Sequence, residues 1–202
     1  MRPRSLLFGL AALAAVTFVL PVLGQEAPDR ATSLYYLEIE VKQPRPIKAT
    51  GIDGEEKVFW YLKYTVTNPT MREVYFCPRF AILTEEGNTY RDIIPAPAVQ
   101  AIEKRVGREI EAGVQAADTI KAGGELTAYA IFPKIGDKAD RLYLRIGGLT
   151  NEYYLDKTDK ESKPVFKVYQ IRYDRPGDPV NLAIDPVMKG REEWVWASEP
   201  VE

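Results

Sequence analysis

Hydrophobic and polar residues alternate with a period of two along much of the chain. The clearest example is residues 58–66, where five large apolar side chains fall on one side of an extended strand: Val58, Trp60, Leu62, Tyr64 and Val66. Other alternating stretches occupy 34–43, 71–84, 89–93, 120–133, 137–149 and 163–175. Such alternation is typical of strands that bury one face. The pattern therefore predicts about seven strands, and Asn68-Pro69 predicts the turn that ends the 58–66 strand.

Two regions depart from this pattern. Between residues 95 and 114 the apolar residues recur at spacings of three and four: Val99, Ile102, Val106 and Ile110. That spacing places them on one side of a helix, and we predict a surface helix over 96–111. Residues 176–202 begin with a Pro-Gly turn and show no sustained period. They predict an irregular C-terminal extension, packed on the domain through Trp194 and Trp196.

Together these elements predict an immunoglobulin-like antiparallel β-sandwich with one inserted surface helix and an irregular C-terminal tail. Each of the five apolar residues in 58–66 contributes roughly 1.5–3 kcal/mol when fully buried. A soluble chain rarely leaves such a stripe open to water. We therefore assign the stripe to the core rather than to a ligand-binding face.

The first 24 residues have the layout of a secretory signal peptide. Arg2 and Arg4 precede an apolar stretch from Leu6 to Leu23, and a cut after Gly24 would expose Gln25. The predicted domains are a signal peptide (1–24), a polar leader (25–33), the β-sandwich (34–175) and the C-terminal extension (176–202). Export to the periplasm or the extracellular space follows, without a stable membrane span after cleavage. If the segment stays uncleaved, it is an N-terminal membrane anchor, since its 18 residues approach the length that spans a bilayer.

The composition excludes several kinds of active site. The chain has no histidine, so it cannot build a Ser-His-Asp site, a Cys-His site or a histidine-ligated zinc site. Its single cysteine, Cys77, makes neither an internal disulfide nor a thiolate cage, and the apolar run around it predicts a buried, inert thiol. The net charge is −2, and it becomes −4 without the two arginines of residues 1–24. This mild acidity argues against a nucleic-acid partner.

Three segments occur together in a familiar order: VFWYLKYTVTNPT, YFCPRFAILTEEGNTYRD and IKAGGELTAYAIFP. Over roughly residues 34–148 the chain resembles secreted immunoglobulin-like domains of the DUF4352 type, which are uncharacterised bacterial envelope proteins. In those domains a strand that ends in Asn precedes a strand and turn with an acidic-Gly tip. The resemblance implies a sandwich fold and an extracytoplasmic place, and it implies no catalytic residues.

The candidate sites are few. Asp156, Asp159 and Glu161 offer oxygen ligands for calcium, but their spacing does not match a calcium loop, and a solvated charged loop is the simpler interpretation. We expect no cofactor. The stretches YYLEIE, FWYLKY, NEYYL and EWVW supply tyrosines and tryptophans, which commonly anchor interfaces. Tyr36, Phe59 and Tyr61 lie opposite the core stripes of their strands, and they form a binding surface unless the helix or the tail covers them.

Two hypotheses of function remain open. The first is a non-enzymatic binding or envelope-assembly module, with an unknown protein or an envelope polysaccharide as partner. It predicts an uncovered aromatic surface or sheet edge. The second is a carboxylate-dependent hydrolase of the glycosidase kind, with or without calcium. It needs two acids from different strands about 5–9 Å apart in a cleft.

Overall fold

A computed structural model describes residues 33–51, 54–136, 139–157, 162–175 and 187–198. The signal-peptide prediction, most of the leader, and Asp159 and Glu161 lie outside these residues. The strands, in chain order, are β1 (Glu38–Val41), β2 (Arg45–Thr50), β3 (Glu56–Thr67), β4 (Val74–Phe76), β5 (Arg79–Thr84), β6 (Thr89–Arg91), β7 (Asp118–Ile120), β8 (Glu125–Phe132), β9 (Arg141–Gly147), β10 (Tyr153–Asp156), β11 (Lys163–Asp174) and β12 (Met188–Ala197). Helix α1 (Ala96–Val106) and a short 3-10 helix (Gly113–Ala116) lie between β6 and β7.

Strand β3 is the centre of the first antiparallel sheet. It pairs with β8 on one side, where Leu62 faces Ala130, and with β1 and β2 in succession on the other. Pro46 of β2 lies opposite Trp60 of β3. Proline is tolerated there because β2 is an edge strand.

The second sheet has the order β6–β5–β9–β11–β12, all antiparallel. Strand β10 pairs with the first residues of β11, and β9 pairs with the last ones, so β9 and β10 succeed each other along β11. A separate two-stranded ribbon joins β4 and β7.

The two larger sheets pack face to face around one hydrophobic core. β3 contributes Trp60, Leu62 and Tyr64, and the second sheet contributes residues such as Phe80 and Leu144. Tyr64 and Phe80 come from different sheets, and the centroids of their rings lie 4.7 Å apart. The predicted mainly β antiparallel sandwich with a single helix is therefore confirmed, and the 58–66 stripe lies in its core.

Helix α1 lies on the outer face of the first sheet and makes a second, smaller core. Ala98 and Ile102 are buried against Tyr61, Tyr129 and other residues of β2, β3 and β8. The helix ends at Val106, five residues before the predicted end, because Gly107 adopts a left-handed conformation (φ 73°) and closes the last turn on the carbonyl of Glu103.

The structure corrects the prediction in two places. The described residues contain twelve strands rather than about seven, partly because long stretches divide: Pro78 separates β4 from β5. The C-terminal extension is not irregular throughout, since Met188–Ala197 forms β12 along β11. The alternation does not reveal this strand, because four of its ten residues are charged and they are grouped before Trp194. No helix in the described part of the chain is long and apolar enough to cross a membrane.

Candidate functional site

Five aromatic residues gather beside β12, and we call them the aromatic row: Tyr36, Tyr154, Tyr169, Trp194 and Trp196. Strand pairing puts four of them on one face of the second sheet. Tyr169 lies opposite Trp194, Lys167 opposite Trp196, and Tyr154 opposite Val165. Directly paired residues share a face, and so do alternate residues along one strand. On this face of β11, Ile171 and Tyr173 are buried in the core, whereas the side chain of Lys167 is partly exposed to solvent.

The rings of the row contact one another edge to face. Trp194 lies 5.4 Å from Tyr36 and 5.2 Å from Tyr169 between ring centroids, and Trp196 lies 4.8 Å from Tyr154. This geometry is the favoured one for aromatic pairs. Trp196 and Tyr154 remain 44% and 46% exposed. The row is therefore ordered by its own contacts and still offers aromatic surface to a partner.

A neutral polar cluster lies in the middle of the row. The ammonium group of Lys167 donates to the Tyr36 hydroxyl (3.0 Å) and to Glu152 (2.8 Å), and the Tyr36 hydroxyl also donates to Glu152. The same ammonium lies 5.2 Å from the centroid of the Tyr36 ring and 5.6 Å from that of Trp196. Cation–π contacts of this kind hold the rings and the charge together. Since Lys167 and Glu152 neutralise each other, the cluster does not favour a charged ligand.

A cleft of about 360 Å³ continues the row toward the first sheet. Leu37, Ile39 and Leu149 line it together with Tyr36, Tyr169 and Trp194. Tyr169 donates its hydroxyl proton to Glu192 (3.1 Å). Burial, and then this hydrogen bond to a carboxylate, raise the pKa of Tyr169, so its hydroxyl stays a donor at neutral pH.

Strand β12 is an open edge within the described residues, because it pairs with β11 alone. Its first half is charged, but the charges pair internally: Lys189 with Glu192, and Arg191 with Glu193. Its second half carries Trp194 and Trp196. A sheet edge exposes unpaired backbone N–H and C=O groups to which an extended chain can bind.

The three aromatic residues that the sequence predicted as one binding surface lie in two different places in the structure. Tyr36 belongs to the aromatic row. Phe59 and Tyr61 lie beneath α1, and Tyr61 is buried, so the helix covers them. Asp156 is half-buried on β10, and the described residues contain no group of three acidic, cysteine or histidine residues suited to a metal ion. Cys77 is a half-buried free thiol rather than a fully buried one.

A second cleft, of about 400 Å³, is lined by three carboxylates from different segments: Glu111, Asp118 and Glu125. All three are exposed to solvent. Asp118 accepts a hydrogen bond from the backbone of Thr119, and Glu125 accepts a long one (3.4 Å) from Thr67. This cleft is where the carboxylate-hydrolase hypothesis would have to be tested.

Sequence reasoning marked NEYYL and EWVW as aromatic stretches but did not bring them together. The missing information is the pairing of β12 with β11, which sets Trp196 beside Lys167. The one local signal is Trp194-Val195-Trp196 itself, since two tryptophans at alternate positions suit one face of a strand.

No family model matches this chain. No curated protein matches it either. Among solved structures, one match is described as "X-ray structure of Northeast Structural Genomics Consortium target SoR45"; it is 12% identical, has a TM-score of 0.30, and covers 82% of this chain and 88% of the other. A similarity at this level carries no argument about function. The resemblance to DUF4352-type domains stays a prediction.

Proposed function

We propose that this protein is an exported, non-enzymatic binding module that holds an extended polypeptide segment of an envelope partner along β12. The observation that carries the proposal is the coincidence of an open sheet edge with the aromatic row on the same strand. Trp196 and Tyr154 supply exposed aromatic surface, the residue type that dominates binding energy at protein interfaces.

The open edge favours a polypeptide over a polysaccharide as the partner. A peptide that adds to a sheet gains main-chain hydrogen bonds along the edge and places every second side chain against the neighbouring face. A glycan has hydroxyl groups but lacks the regularly spaced amide groups that continue a sheet ladder along β12. Because the charges of β12 and of the Lys167–Glu152 pair are internally balanced, the segment that fits carries apolar residues at alternate positions and little charge.

The test uses synthetic decapeptides with alternating apolar residues, and scrambled peptides of the same composition as controls. Binding is followed by tryptophan fluorescence and by hydrogen exchange of the β12 amides. We expect the alternating peptides to bind and to protect β12. Trp196→Ala should weaken binding about tenfold or more. The matched control is Tyr75→Ala, which removes a 62% exposed tyrosine from β4 and should change affinity less than twofold.

Two results would contradict this function. One is equal binding of the alternating and scrambled peptides, and the other is protection of β12 by oligosaccharides rather than by peptides. The export part of the proposal rests on the layout of residues 1–24. Mass spectrometry of the native protein should find a mature N-terminus at Gln25, and an intact N-terminal segment would argue for a membrane anchor instead.

A carboxylate-dependent hydrolase is the second candidate, because three carboxylates line the 400 Å³ cleft. A glycosidase needs one carboxyl group that its surroundings keep protonated. All three carboxylates of this cleft are open to water, which makes the hydrolase the weaker candidate. If the chain hydrolyses an envelope polysaccharide, Glu111→Gln and Glu125→Gln should abolish that activity while Glu86→Gln, at an exposed turn, leaves it unchanged.

A further inference from the structure

The outer face of the second sheet carries a concentration of arginines on three neighbouring strands. On β5, β6 and β9, every second residue points away from the core, and these outward residues are Arg79, Ala81, Leu83, Thr89, Arg91, Arg141, Tyr143, Arg145 and Gly147. Four of these nine are arginine and none is acidic. This face is turned away from the aromatic row.

Strand register fixes the positions of three of these arginines around Ala81. Ala81 pairs with Arg91 on one side and with Arg145 on the other. Two strand spacings therefore separate Arg91 from Arg145, about 9–10 Å. Arg79 lies two residues along β5 from Ala81, which makes it a diagonal neighbour of both, at about 7–8 Å. The three side chains form a triangle around a residue with no long side chain of its own.

These three arginines differ from others on the same face in having no carboxylate partner within the described residues. Arg172 and Arg141 both pair with Asp174, at 2.9 and 3.8 Å. Arg145 instead donates to the amide oxygen of Gln170 (3.0 Å), and burial lowers its pKa. A half-buried guanidinium without a counter-charge, beside two like charges, is unfavourable in the free protein.

We propose that Arg79, Arg91 and Arg145 form a binding site for a phosphate group. Guanidinium groups bind phosphate through charge-assisted, bidentate hydrogen bonds, and three of them match the several oxygens of one tetrahedral oxyanion. The three arginines surround a site for one phosphate group, which is too small to bind the regularly spaced phosphates of a nucleic-acid backbone. The phosphate belongs either to a soluble molecule or to the headgroup of an anionic lipid.

Calorimetric titration of the full chain with inorganic phosphate tests the site, with sodium chloride at equal ionic strength as the reference. We expect saturable binding of phosphate only. The double variant Arg79→Gln/Arg91→Gln should bind about 100-fold more weakly, at about tenfold for each contact of 1.4 kcal/mol. Both residues are exposed, so the variant is expected to keep its fold, and thermal melting checks that it does. Arg172→Gln, on the same face but paired with Asp174, is the control and should stay within twofold.

Sedimentation with vesicles identifies the source of the phosphate. Binding to phosphatidylglycerol vesicles, but not to phosphatidylcholine vesicles, supports a lipid headgroup. Binding of inorganic phosphate without vesicle binding supports a soluble phosphorylated ligand. The proposal is overturned if neither phosphate nor phosphatidylglycerol vesicles bind beyond the chloride reference, or if Arg172→Gln weakens binding as much as the double variant does.

Discussion

At the scale of single residues, Asn68 shows how one side chain joins two turns. Its amide nitrogen donates to the carbonyls of Arg72 (2.7 Å), Ile120 (2.8 Å) and Lys121 (3.2 Å), and its amide oxygen accepts from the backbone and the hydroxyl of Thr70 (3.0 and 2.7 Å). The side chain is fully buried. The Asn-Pro pair predicted a turn after β3, but it did not predict the link to the loop before β8.

We expect Asn68→Ala to lower the free energy of unfolding by about 2–4 kcal/mol, because several buried backbone groups lose their partner at once. Asn68→Asp should cost more, since a carboxylate oxygen would then face three carbonyls. Urea denaturation measures both. Asn88→Ala, at an exposed turn, is the control and should stay within about 0.5 kcal/mol. A loss of similar size at Asn88 would contradict the role given to Asn68.

Gly148 is a second position where one residue type is required. Its φ is +89°, and a Cβ atom there would lie 2.4 Å from the carbonyl oxygen of Cys77. Gly123 also has a positive φ (+68°), but open space surrounds it. Gly148→Ala should therefore destabilise the protein by about 3 kcal/mol or more, against about 1–2 kcal/mol for Gly123→Ala. Thermal melting of both variants separates steric overlap from backbone strain, and equal losses would argue against the overlap.

At the scale of elements, the spacing of apolar residues predicts the buried face of α1 correctly but not the length of the helix. The spacing of three and four placed Ile102 correctly on the buried side, because the helical period is a local property. The same spacing extended the helix to Ile110, whereas Gly107 ends it and leaves Val106 37% exposed. The period identifies the buried face, and the C-cap decides the length.

Replacing Ile102 by Ala should cost about 2–4 kcal/mol, because it opens a cavity between α1 and the first sheet. Val106→Ala removes an apolar side chain of the same helix at its exposed end and should cost well under 1 kcal/mol. Chemical denaturation compares the two. If both variants lose the same stability, α1 does not cover Tyr61 in the way the structure describes.

Strand β12 shows what local pattern misses. Its ten residues include four charges and a bulge opposite Arg172, so the alternation is broken where the strand begins. What makes it a strand is its pairing with β11. β11 itself was predicted from sequence because Val165, Tyr169, Ile171 and Tyr173 all fall on one side of an extended strand. Charged residues in the first half of this edge strand also hinder unwanted pairing there, whereas the second half carries Trp194 and Trp196.

At the scale of the whole molecule, burial of two tyrosines makes stability depend on pH. Tyr64 and Tyr173 lie in the core between the sheets, and their hydroxyls have no hydrogen-bond partner in the described structure. Burial raises the pKa of both well above the ordinary value of 10. The folded protein therefore keeps these protons at pH values where the unfolded chain releases them.

The sign of the effect follows from this difference. Below pH 10 both states are protonated and the two tyrosines cause no pH dependence. Above pH 10 the unfolded state binds fewer protons, so the free energy of unfolding should fall by about 1.4 kcal/mol per pH unit for each tyrosine. Urea denaturation between pH 9 and 11 measures the slope. Tyr64→Phe/Tyr173→Phe should make the slope shallower, and the remaining slope comes from other groups such as Tyr169, whose pKa is also raised. The variant should be as stable as the wild type or more so at pH 7, because no hydrogen bond is lost. An unchanged slope in the double variant would refute the explanation.

The sequence by itself determined the strands with strong alternation, the helix and the main core. Trp60, Leu62 and Tyr64 lie where their spacing predicts, because side-chain direction in a strand depends only on position within that strand. The tertiary structure alone decided which surfaces come together. Tyr36 meets Trp194, and Ala81 of β5 lies opposite Arg145 of β9, through contacts between segments far apart in the chain. Local patterns carry no information about such pairings, because the face of a strand is fixed by its own residues and its neighbours are fixed by the packing of the whole chain.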